Sequence, residues 1–568
     1  MRKSVPVSRM FNTDILTLQK KGFEAVSGQM CMTDILLIQP PIRDFYLTAK
    51  RTIPYGLSSI ASVLIQNGFS VDLFDGLATG KSRILEFPEE MEYLKRFYGK
   101  PDLSPFSLFH HFRHFGYSFE TIGKMARDSG AYLVGISSLF TAYSDTAVKT
   151  AETVKAFHPD CKIVLGGHHP TAMPYETMKT GAVDFLIRGE GEVSMPALAE
   201  AIRKKKELND IPGIVFRRRD GSLHVSPPAV MADLDGYPLP SMRFVKQSFY
   251  QRKKSGSSVI VTSRGCPMKC SYCSVGASGL PYRRRGVDSV VNEIETAVVK
   301  HHVRFVDFED ENLCLEKKWF LHLLSEIEKR LGNHRVELRA MNGMFPPSLD
   351  EEMIYKMKAS GFKTLNLSLG STSIAQLERF SRPDVRDSLE QAVSVAERIG
   401  LESVCYIIAG APGQIPSETV LDLLYLAKRK PIAGVSIFYP SPGSPDFEKC
   451  RKSGILPEKF SLMRSSAFPI SHSTNRVEAA TLLRLGRILN FIKSIKKSGA
   501  ALPSPLPYHG KAFLDADQRK ENGLLLLAWF FNDGRIRGVK PTGEVFDHLV
   551  SETLTGQFIS GISEIFPL

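Results

Sequence analysis

The chain has 568 residues, enough for about three or four domains that each bury their own core. Its composition is 43% hydrophobic and 23% charged, and its longest notable apolar run, residues 524–531, is far too short to cross a bilayer, so we expect a soluble protein without a transmembrane segment. The net charge is +13, but the basic residues lie in small dispersed groups, and no RNA-binding motif is visible, which argues against a nucleic-acid partner.

The first 33 residues show no strong periodicity and no secretory signal, so we expect an extension there and a cytoplasmic protein. From residue 34 to about 205, apolar strand-like runs alternate with helical patterns. Strands are predicted at 34–38, 69–74, 133–137, 163–165 and 184–187, with an insertion near 77–120. This alternation predicts a doubly wound α/β domain of the flavodoxin or Rossmann type, which binds ligands at the carboxyl ends of its parallel strands.

The residues at those strand ends are the candidates for cofactor binding in the first domain. They are Gln39, Pro40, Ser137, Ser138, Thr141, Gly166, Gly167, His169, Pro170, Gly189 and Glu190. Glycine allows a backbone to approach a flat ligand closely. On geometry alone, a plain flavodoxin-like domain whose glycines serve tight turns explains this pattern equally well.

A second α/β region follows a connector at 206–250, in which we predict a small hairpin and a Pro-rich linker. Between 251 and 455, strands are predicted at 259–262, 303–308, 336–341, 364–369, 404–408 and 435–438, and helices at 287–300, 319–331, 351–359 and 389–399. Six such units are too few for a full eight-stranded barrel. The last region, 456–568, predicts a small α+β domain with a helix at 477–498 and a hairpin whose strands are 524–531 and 535–539.

Three of the eight cysteines, Cys266, Cys270 and Cys273, lie within eight positions directly after the first strand of this second region. Three thiolates on one loop suit a soft metal or iron–sulfur site, but they cannot complete a tetrahedral zinc site or bind all four irons of a cubane cluster. Structural thiols, or zinc completed by a distant His or by Cys314, remain alternatives, although the second Cys-x-x-Cys pair of a zinc ribbon is absent. The other cysteines are scattered singly, which argues against disulfides and agrees with a reducing compartment.

The spacing Cys-x3-Cys-x2-Cys, with Tyr272 before the last cysteine, resembles the signature of the radical S-adenosylmethionine (SAM) enzymes. The resemblance implies that Cys266, Cys270 and Cys273 hold a 4Fe–4S cluster, that SAM binds its open iron, and that the six units form a partial (β/α)6 barrel. It also implies SAM contacts at the strand ends, from Glu309, Asp310, Asn366, Ser368, Ser371, Gly410 and Pro412. Gly370 and Ser371 lie where relatives often carry Gly-x-Glu-Ser, so a serine replaces the acidic residue.

The segments over 34–205 resemble the cobalamin-binding domain that precedes many radical SAM domains. The Asp-x-His-x-x-Gly motif that supplies an axial histidine to cobalt is absent, and neither His168 nor His169 has its spacing. The resemblance therefore implies cobalamin bound without a protein histidine, with its lower face against the loop 40–56 or the loop 137–141. A degenerate domain that binds no cobalamin is the alternative.

Together these resemblances imply an enzyme that reductively cleaves SAM to a 5'-deoxyadenosyl radical and methylates an unactivated carbon of a small-molecule or lipid-like substrate. They also imply a reducing partner such as flavodoxin or ferredoxin. The same cofactors also support radical cyclisation, rearrangement or oxidation without methyl transfer. A hypothesis of another class is a non-catalytic cobalamin or iron–sulfur sensor, but the sequence shows no output module such as a helix-turn-helix. We expect the C-terminal region to close the substrate end of the barrel.

Overall fold

The computed structural model describes residues 33–45 and 53–566. Nearly all of the predicted N-terminal extension, and residues 46–52 of the loop predicted to face cobalamin, lie outside the described residues. Among the described residues, none of the helices combines the length and the apolar character that crossing a membrane requires.

The N-terminal domain is built on a seven-stranded sheet whose order is β10-β9-β8-β7-β6-β1-β3. Its strands are β1 Ile35–Gln39, β3 Val71–Asp75, β6 Leu133–Ser137, β7 Lys162–Gly166, β8 Phe185–Ile187, β9 Ile214–Arg217 and β10 Leu223–Val225. Its helices are α1 Tyr55–Gln66, α3 Phe119–Ser129, α4 Ser144–Phe157, α5 His168–Ala172, α6 Pro174–Thr177 and α7 Gly191–Lys204. The first five strands pair in parallel, as predicted, whereas β9 and β10 form the hairpin predicted in the connector, in which β9 pairs antiparallel with β8 and β10 pairs antiparallel with β9.

Alternating side chains of β1 show why its sequence is apolar from Ile35 to Ile38. Ile35 and Leu37 pack into the core on one face of the sheet, and Leu36 and Ile38 pack into the core on the other. Both faces are covered by helices, so these four residues are buried and no polar face is needed.

The predicted insertion near 77–120 contains β4 Ser82–Leu85, β5 Phe112–Phe115 and the short helix α2 Lys95–Tyr98, and β5 pairs antiparallel with β4 and with β2 Ile42–Asp44 in a separate three-stranded sheet. It packs against the C-terminal region rather than against the sheet of its own domain. The Tyr98 hydroxyl donates to the Ser466 carbonyl at 2.8 Å, and the fully buried Arg484 donates to the Phe106 carbonyl at 2.9 Å. The insertion therefore connects the N-terminal domain to the C-terminal region.

The second α/β region is a partial barrel of six parallel strands in chain order, which confirms the predicted fold class. The strands are β12 Ser255–Ile260, β15 Val303–Phe308, β16 Glu337–Ala340, β17 Thr364–Gly370, β18 Glu402–Ala409 and β19 Ile432–Ile437. Parallel bridges at Leu338–Phe362 and Met344–Leu367 connect the first three strands to the last three. The helices are α8 Ser274–Ala277, α9 Val287–Lys300, α10 Lys317–Leu331, α11 Glu351–Ser360, α12 Ile374–Arg379, α13 Arg386–Arg398, α14 Pro416–Ala427 and α15 Pro445–Lys452, and short strands β11 Gln251–Arg252, β13 Ser263–Arg264 and β14 Arg283–Arg284 flank the first unit.

The C-terminal region contains α16 Arg476–Lys497, α17 Arg519–Asp533, β20 Arg537–Val539, β21 Val545–Asp547 and α18 Glu552–Ile565. The predicted helix at 477–498 is confirmed, but the predicted strand at 524–531 is wrong, because these residues lie inside α17. A short apolar run has no period that separates a buried strand from a buried helix. Gly534, with a φ of 74°, ends α17 in the left-handed conformation, and the hairpin is formed instead by β20 and β21.

Candidate active site

The three clustered cysteines lie on a loop whose two ends are held together. Ser263 and Arg264 pair antiparallel with Arg284 and Arg283, so residues 265–282 form an excursion closed at its base. Gly265 begins the excursion with a φ of 82°, and a Cβ there would lie 2.6 Å from the Pro281 carbonyl, so only glycine fits without a shift. The three thiols are thus presented on one compact loop.

The thiols are partly accessible, as a ligand-binding cluster requires. Cys270 is buried, whereas Cys266 and Cys273 are half-buried. Burial raises the pKa of the Cys266 thiol and of the Cys273 thiol. Backbone N–H groups oppose this effect, from Met268 toward Cys266 and from Val275 and Gly276 toward Cys273. These N–H groups fit a site for metal-bound thiolates, because hydrogen bonds to sulfur are a common means of tuning iron–sulfur clusters.

No group of three His, Cys, Asp or Glu side chains in the described part of the chain is placed to hold a single metal ion. A cubane cluster does not need such convergence, because each thiolate binds a different iron. The compactness of the loop is set by its backbone: a Cβ on Gly276 would lie 2.0 Å from the Met268 carbonyl.

Arg382 lies beside the cysteine loop and was not identified from the sequence. Its guanidinium donates to the Tyr272 hydroxyl at 2.7 Å and lies 3.9 Å from the Cys270 sulfur. It also donates to the carbonyl of Ser368 at 3.1 Å and to its hydroxyl at 3.2 Å. Ser368, a predicted SAM contact, therefore lies near the loop through Arg382. The motifs carried no signal for Arg382, because it follows α12 in an ordinary loop.

Asp310 is engaged within the protein. Its buried carboxylate accepts hydrogen bonds from the Thr262 hydroxyl at 2.7 Å, the Thr262 N–H at 3.1 Å and the Ser263 hydroxyl at 2.5 Å. It therefore holds the chain just before the cysteine loop, and its contact with SAM stays a prediction. Glu309 is exposed at the same strand end. The neighbouring Glu311, which was not chosen from the sequence, is half-buried, and burial raises its pKa to about 7.

Glu311 also lies close enough to Cys266 and Cys273 for its charge to raise the pKa of both thiols. Among the three acidic residues at the end of β15, it is the one placed beside the cysteines without a role in holding the loop. The signal that could have identified it is its position in the run 309–311, which contains three carboxylates in succession.

Ser371, predicted to contact SAM, is fully buried and donates instead to the Asp422 carboxylate at 3.0 Å. The Thr372 hydroxyl donates to the same carboxylate at 2.6 Å. Burial raises the pKa of Asp422 to about 6. This end of β17 therefore carries an internal hydrogen-bond network, and the contact between Ser371 and SAM stays a prediction.

The remaining predicted SAM contacts lie at barrel strand ends. Asn366 is buried on β17 and donates to the Tyr406 hydroxyl at 2.7 Å. Gly410 and Pro412 are buried in the turn after β18, where Gly410 has a φ of 78°. The fully buried Gln414 fixes this turn by accepting from the Ala411 N–H at 3.0 Å. Their contact with SAM stays a prediction.

In the N-terminal domain, the segments after β6 and β7 lie against each other. Gly167 has a φ of 122°, and a Cβ there would lie 2.6 Å from the Ser138 carbonyl. His169 Nδ1 lies 3.2 Å from the Thr141 hydroxyl, and burial lowers the pKa of this histidine to about 4, which keeps it neutral. Pro170 is buried beside it. Gly166 is open: a Cβ there would meet only the Ile187 carbonyl, at 3.9 Å.

These loops offer a surface that fits a large flat ligand. Leu139 and Phe140 are 45% and 50% exposed although they are apolar. Ser138 is buried, and its hydroxyl has no hydrogen-bond partner among the described residues. Ser137 precedes this loop at the end of β6, and Gln39 and Pro40 end the neighbouring β1. Exposed apolar side chains with an unused polar group are what a corrin-sized cofactor would cover.

Glu190 was predicted to bind a cofactor, but its carboxylate is engaged within the protein. It accepts from Arg283 at 2.7 Å, pairs with Arg264 at 3.5 Å, and accepts from the Met231 N–H. The adjacent Gly189 has a φ of 81°, and a Cβ there would lie 2.3 Å from the Ala229 carbonyl. The end of β8 therefore faces the base of the cysteine loop.

Comparison with known proteins agrees with this two-part site. Residues 109–199 match the model of the B12 binding domain, and residues 260–424 match that of the radical SAM superfamily. An uncharacterized methyltransferase of Pyrococcus horikoshii is 25% identical over 75% of this chain and 85% of its own length. The cytidylyl-2-hydroxyethylphosphonate methyltransferase of Streptomyces wedmorensis is 24% identical, over 76% and 84%. An anaerobic magnesium-protoporphyrin IX monomethyl ester cyclase of Rubrivivax gelatinosus is 28% identical, over 53% and 56%.

Solved structures share the fold. The radical SAM methyltransferase TsrM of Kitasatospora setae, with tryptophan and a SAM analogue bound, aligns with a TM-score of 0.58 and 19% identity over 74% of this chain and 76% of its own. The cobalamin-dependent SAM radical enzyme OxsB, with aqua-cobalamin and SAM bound, aligns with a TM-score of 0.59 and 13% identity over 79% and 65%. The chain therefore carries a B12 binding domain followed by a radical SAM domain, the arrangement that the sequence resemblance implied.

Proposed function

We propose that this protein is a cobalamin-dependent radical SAM enzyme that transfers a methyl group to an unactivated carbon of a small-molecule or lipid-like substrate. The observation that carries the proposal is the direct contact between the two cofactor regions. The base of the cysteine loop is ion-paired to the strand ends of the B12-binding domain, through Arg264 and Arg283 on one side and Glu190 and Glu192 on the other. A substrate bound at this interface would reach both cofactors.

The residues present fit these cofactors. Cys266, Cys270 and Cys273 would hold a 4Fe–4S cluster, with Glu311, Ser368, Asn366, Gly410 and Pro412 around the SAM site. The loops 137–141 and 166–170 would hold cobalamin without a protein histidine on cobalt. When bound, the cluster supplies the electron that cleaves SAM to a 5'-deoxyadenosyl radical, and cobalamin supplies a carrier for the methyl group.

The chain itself provides placement for this chemistry. Half-buried Cys266 and Cys273 would leave a bound cluster open to SAM, whereas buried Cys270 lies beside Arg382, whose positive charge would favour added electron density on the cluster.

The relatives favour methyl transfer over the alternatives. The two methyltransferases named above align over more than four fifths of their own length, at 85% and 84%, whereas the cyclase aligns over 56% of its length. Radical cyclisation with the same cofactors is the second candidate, because the cyclase is the most identical of the three, at 28%. A product that carries a label from methyl-labelled SAM would favour the first candidate, and an unlabelled, modified product the second.

The decisive experiment for the site uses anaerobically reconstituted protein with SAM and a reductant. The wild type should form 5'-deoxyadenosine, and the triple variant of Cys266, Cys270 and Cys273 to alanine should lose both the cluster absorbance and this product. Cys405→Ala is the matched control, because it removes a buried thiol from β18 without changing the loop. Formation of 5'-deoxyadenosine by the triple variant would refute the site, and its absence from the wild type would favour a sensor.

We also infer that the electron donor is a flavodoxin or ferredoxin and that the enzyme works in the cytoplasm. The cysteines of the described residues are all free, which suits a reducing compartment. Reduced flavodoxin in place of the chemical reductant should support 5'-deoxyadenosine formation. Activity with the chemical reductant but none with reduced flavodoxin or ferredoxin would argue against these donors.

A further inference from the structure

We propose that Glu190, Glu192, Arg264 and Arg283 form an ion-pair clamp that sets the position of the B12-binding domain relative to the cysteine loop. The four side chains are positioning residues for methyl transfer. This inference rests on the proposed function, in which one SAM-derived methyl group must pass between the two domains.

The contacts of the ion-pair clamp are direct and numerous. Arg264 binds Glu192 at 2.6 Å and 3.3 Å through its two terminal nitrogens and lies 3.5 Å from Glu190. Arg283 binds Glu190 at 2.7 Å and donates to the Met231 carbonyl at 2.7 Å. Arg264 uses both terminal nitrogens of its guanidinium, so its pair with Glu192 fixes orientation as well as distance, whereas Arg283 reaches Glu190 and Met231 through one nitrogen.

The acidic side chains of the clamp are buried. The side chains of Glu190 and Glu192 are 8% and 6% exposed, and that of Arg283 is 11% exposed. A buried charge that loses its partner is strongly unfavourable, so the two domains are held in the arrangement that keeps all four groups paired. An exposed pair would give no such constraint, because water and salt screen it.

The position of the clamp links the two cofactor regions through few residues. Arg264 is two positions before Cys266. The backbone of Arg283 pairs with that of Arg264 across the base of the cysteine loop. On the other side, Glu190 follows Gly189, whose N–H donates at 3.0 Å to the Thr171 hydroxyl in α5, the short helix that also contains His169. Both sides of the clamp thus end in segments that we propose to bind a cofactor.

Two reactions of SAM depend differently on this geometry. Reductive cleavage takes one electron, breaks the S–C5' bond and gives methionine and the adenosyl radical; it needs only the barrel. Methyl transfer breaks the S–CH3 bond, leaves that electron pair on sulfur and gives S-adenosylhomocysteine, while the acceptor, reduced cobalamin, supplies the pair for the new bond. Methyl transfer needs the two domains held at a defined distance and orientation. A displacement of the reacting groups by about 1 Å is enough to slow such a reaction about a hundredfold.

The test variant is Glu192→Gln, which keeps the shape of the side chain and removes its charge. Glu200→Gln is the matched control on the same helix, α7, where Glu200 pairs with Arg203 and Lys204 at the surface. Both are loaded with cluster and cobalamin, and the contents of iron and cobalamin are measured first. Pulsed dipolar EPR then gives the distance distribution between cobalt(II) and the reduced cluster, and mass spectrometry gives the rates of S-adenosylhomocysteine and 5'-deoxyadenosine formation.

We expect Glu192→Gln to broaden the distance distribution and to slow S-adenosylhomocysteine formation about tenfold or more, with 5'-deoxyadenosine formation within about twofold of the wild type. Glu200→Gln should match the wild type in the distance distribution and in the rates of formation of both products. An unchanged distribution and an unchanged ratio of the two products in Glu192→Gln would overturn the clamp. If Glu192→Gln fails to load, Arg283→Lys, which keeps the charge but changes the geometry of the pair with Glu190, is measured by the same criteria.

The two proposals fail in different ways. A wild type that forms no S-adenosylhomocysteine refutes methyl transfer, yet the spin-to-spin distance still tests the clamp. A wild type that transfers methyl groups while Glu192→Gln and Arg283→Lys retain the wild-type distribution and product ratio refutes the clamp alone.

Discussion

Replacing Asp310 with alanine should loosen the cysteine loop at its base. The carboxylate accepts three donors from two buried residues, Thr262 and Ser263, directly before the loop. Two of these donors are hydroxyls, which can rotate toward other acceptors, but the Thr262 N–H is fixed by the backbone. A buried N–H left without an acceptor costs about 1–3 kcal/mol, so we expect a local destabilisation of about 2 kcal/mol. This corresponds to about a thirtyfold increase in the open population of the loop.

Hydrogen exchange of peptides covering 262–273 measures that opening directly, because a local opening raises the exchange rate in proportion to its population. Ser263→Ala is the control: it removes one donor, leaves Asp310 bound to Thr262 and strands no buried N–H, so the effect should stay below about 1 kcal/mol. The reasoning is refuted if Asp310→Ala exchanges at the wild-type rate, or if Ser263→Ala has an equal effect.

Three further predictions concern stability. Burial raises the pKa of Asp422 from 3.8 to about 6. Between these pH values the folded protein binds a proton that the unfolded chain has released. The free energy of unfolding therefore falls by about 3 kcal/mol as the pH rises through this window. Asp422→Asn should remove that part of the slope in urea unfolding at a series of pH values, and an unchanged slope would contradict the assignment. Gly534→Ala places a side chain at a φ of 74° and should cost about 1 kcal/mol, seen as a lower melting temperature, whereas an unchanged temperature would show that the cap of α17 adapts. Tyr98→Phe leaves the buried Ser466 carbonyl without its donor and should lower the stability by about 1 kcal/mol, again seen as a lower melting temperature. An unchanged melting temperature would mean that water replaces the hydroxyl.

The sequence predicted the features that depend on local patterns. The alternation of apolar strands and helices placed both α/β regions, and β15 and α9 were predicted with the bounds that the structure has, Val303–Phe308 and Val287–Lys300. The strand at 524–531 failed because its apolar residues carry no period. In the structure these residues belong to α17, whose side chains are buried on several sides, so neither a polar face nor an alternation marks it.

In the candidate site, too, local sequence patterns predicted some features and not others. Spacing alone placed three thiols on one loop after the first barrel strand, since neighbouring residues on a tight turn share a location whatever surrounds them. The partners of Asp310, Ser371 and Glu190 were out of reach, because each lies far away in the sequence. Those partners are 48, 51 and 93 positions away. Arg382 shows the reverse case, in which a residue without a motif lies beside Cys270.

By itself, then, the sequence determined the spacing of the cysteines, the positions of the strand ends and the order of the two α/β domains. These follow from short-range geometry, which a few consecutive residues settle. Only the tertiary structure decided which polar groups are used up inside the protein and which lie open for a ligand, and it alone brought Glu190 and Glu192 against Arg264 and Arg283. The physical reason is that a buried charge must find a partner, and which partner is near depends on how whole domains pack.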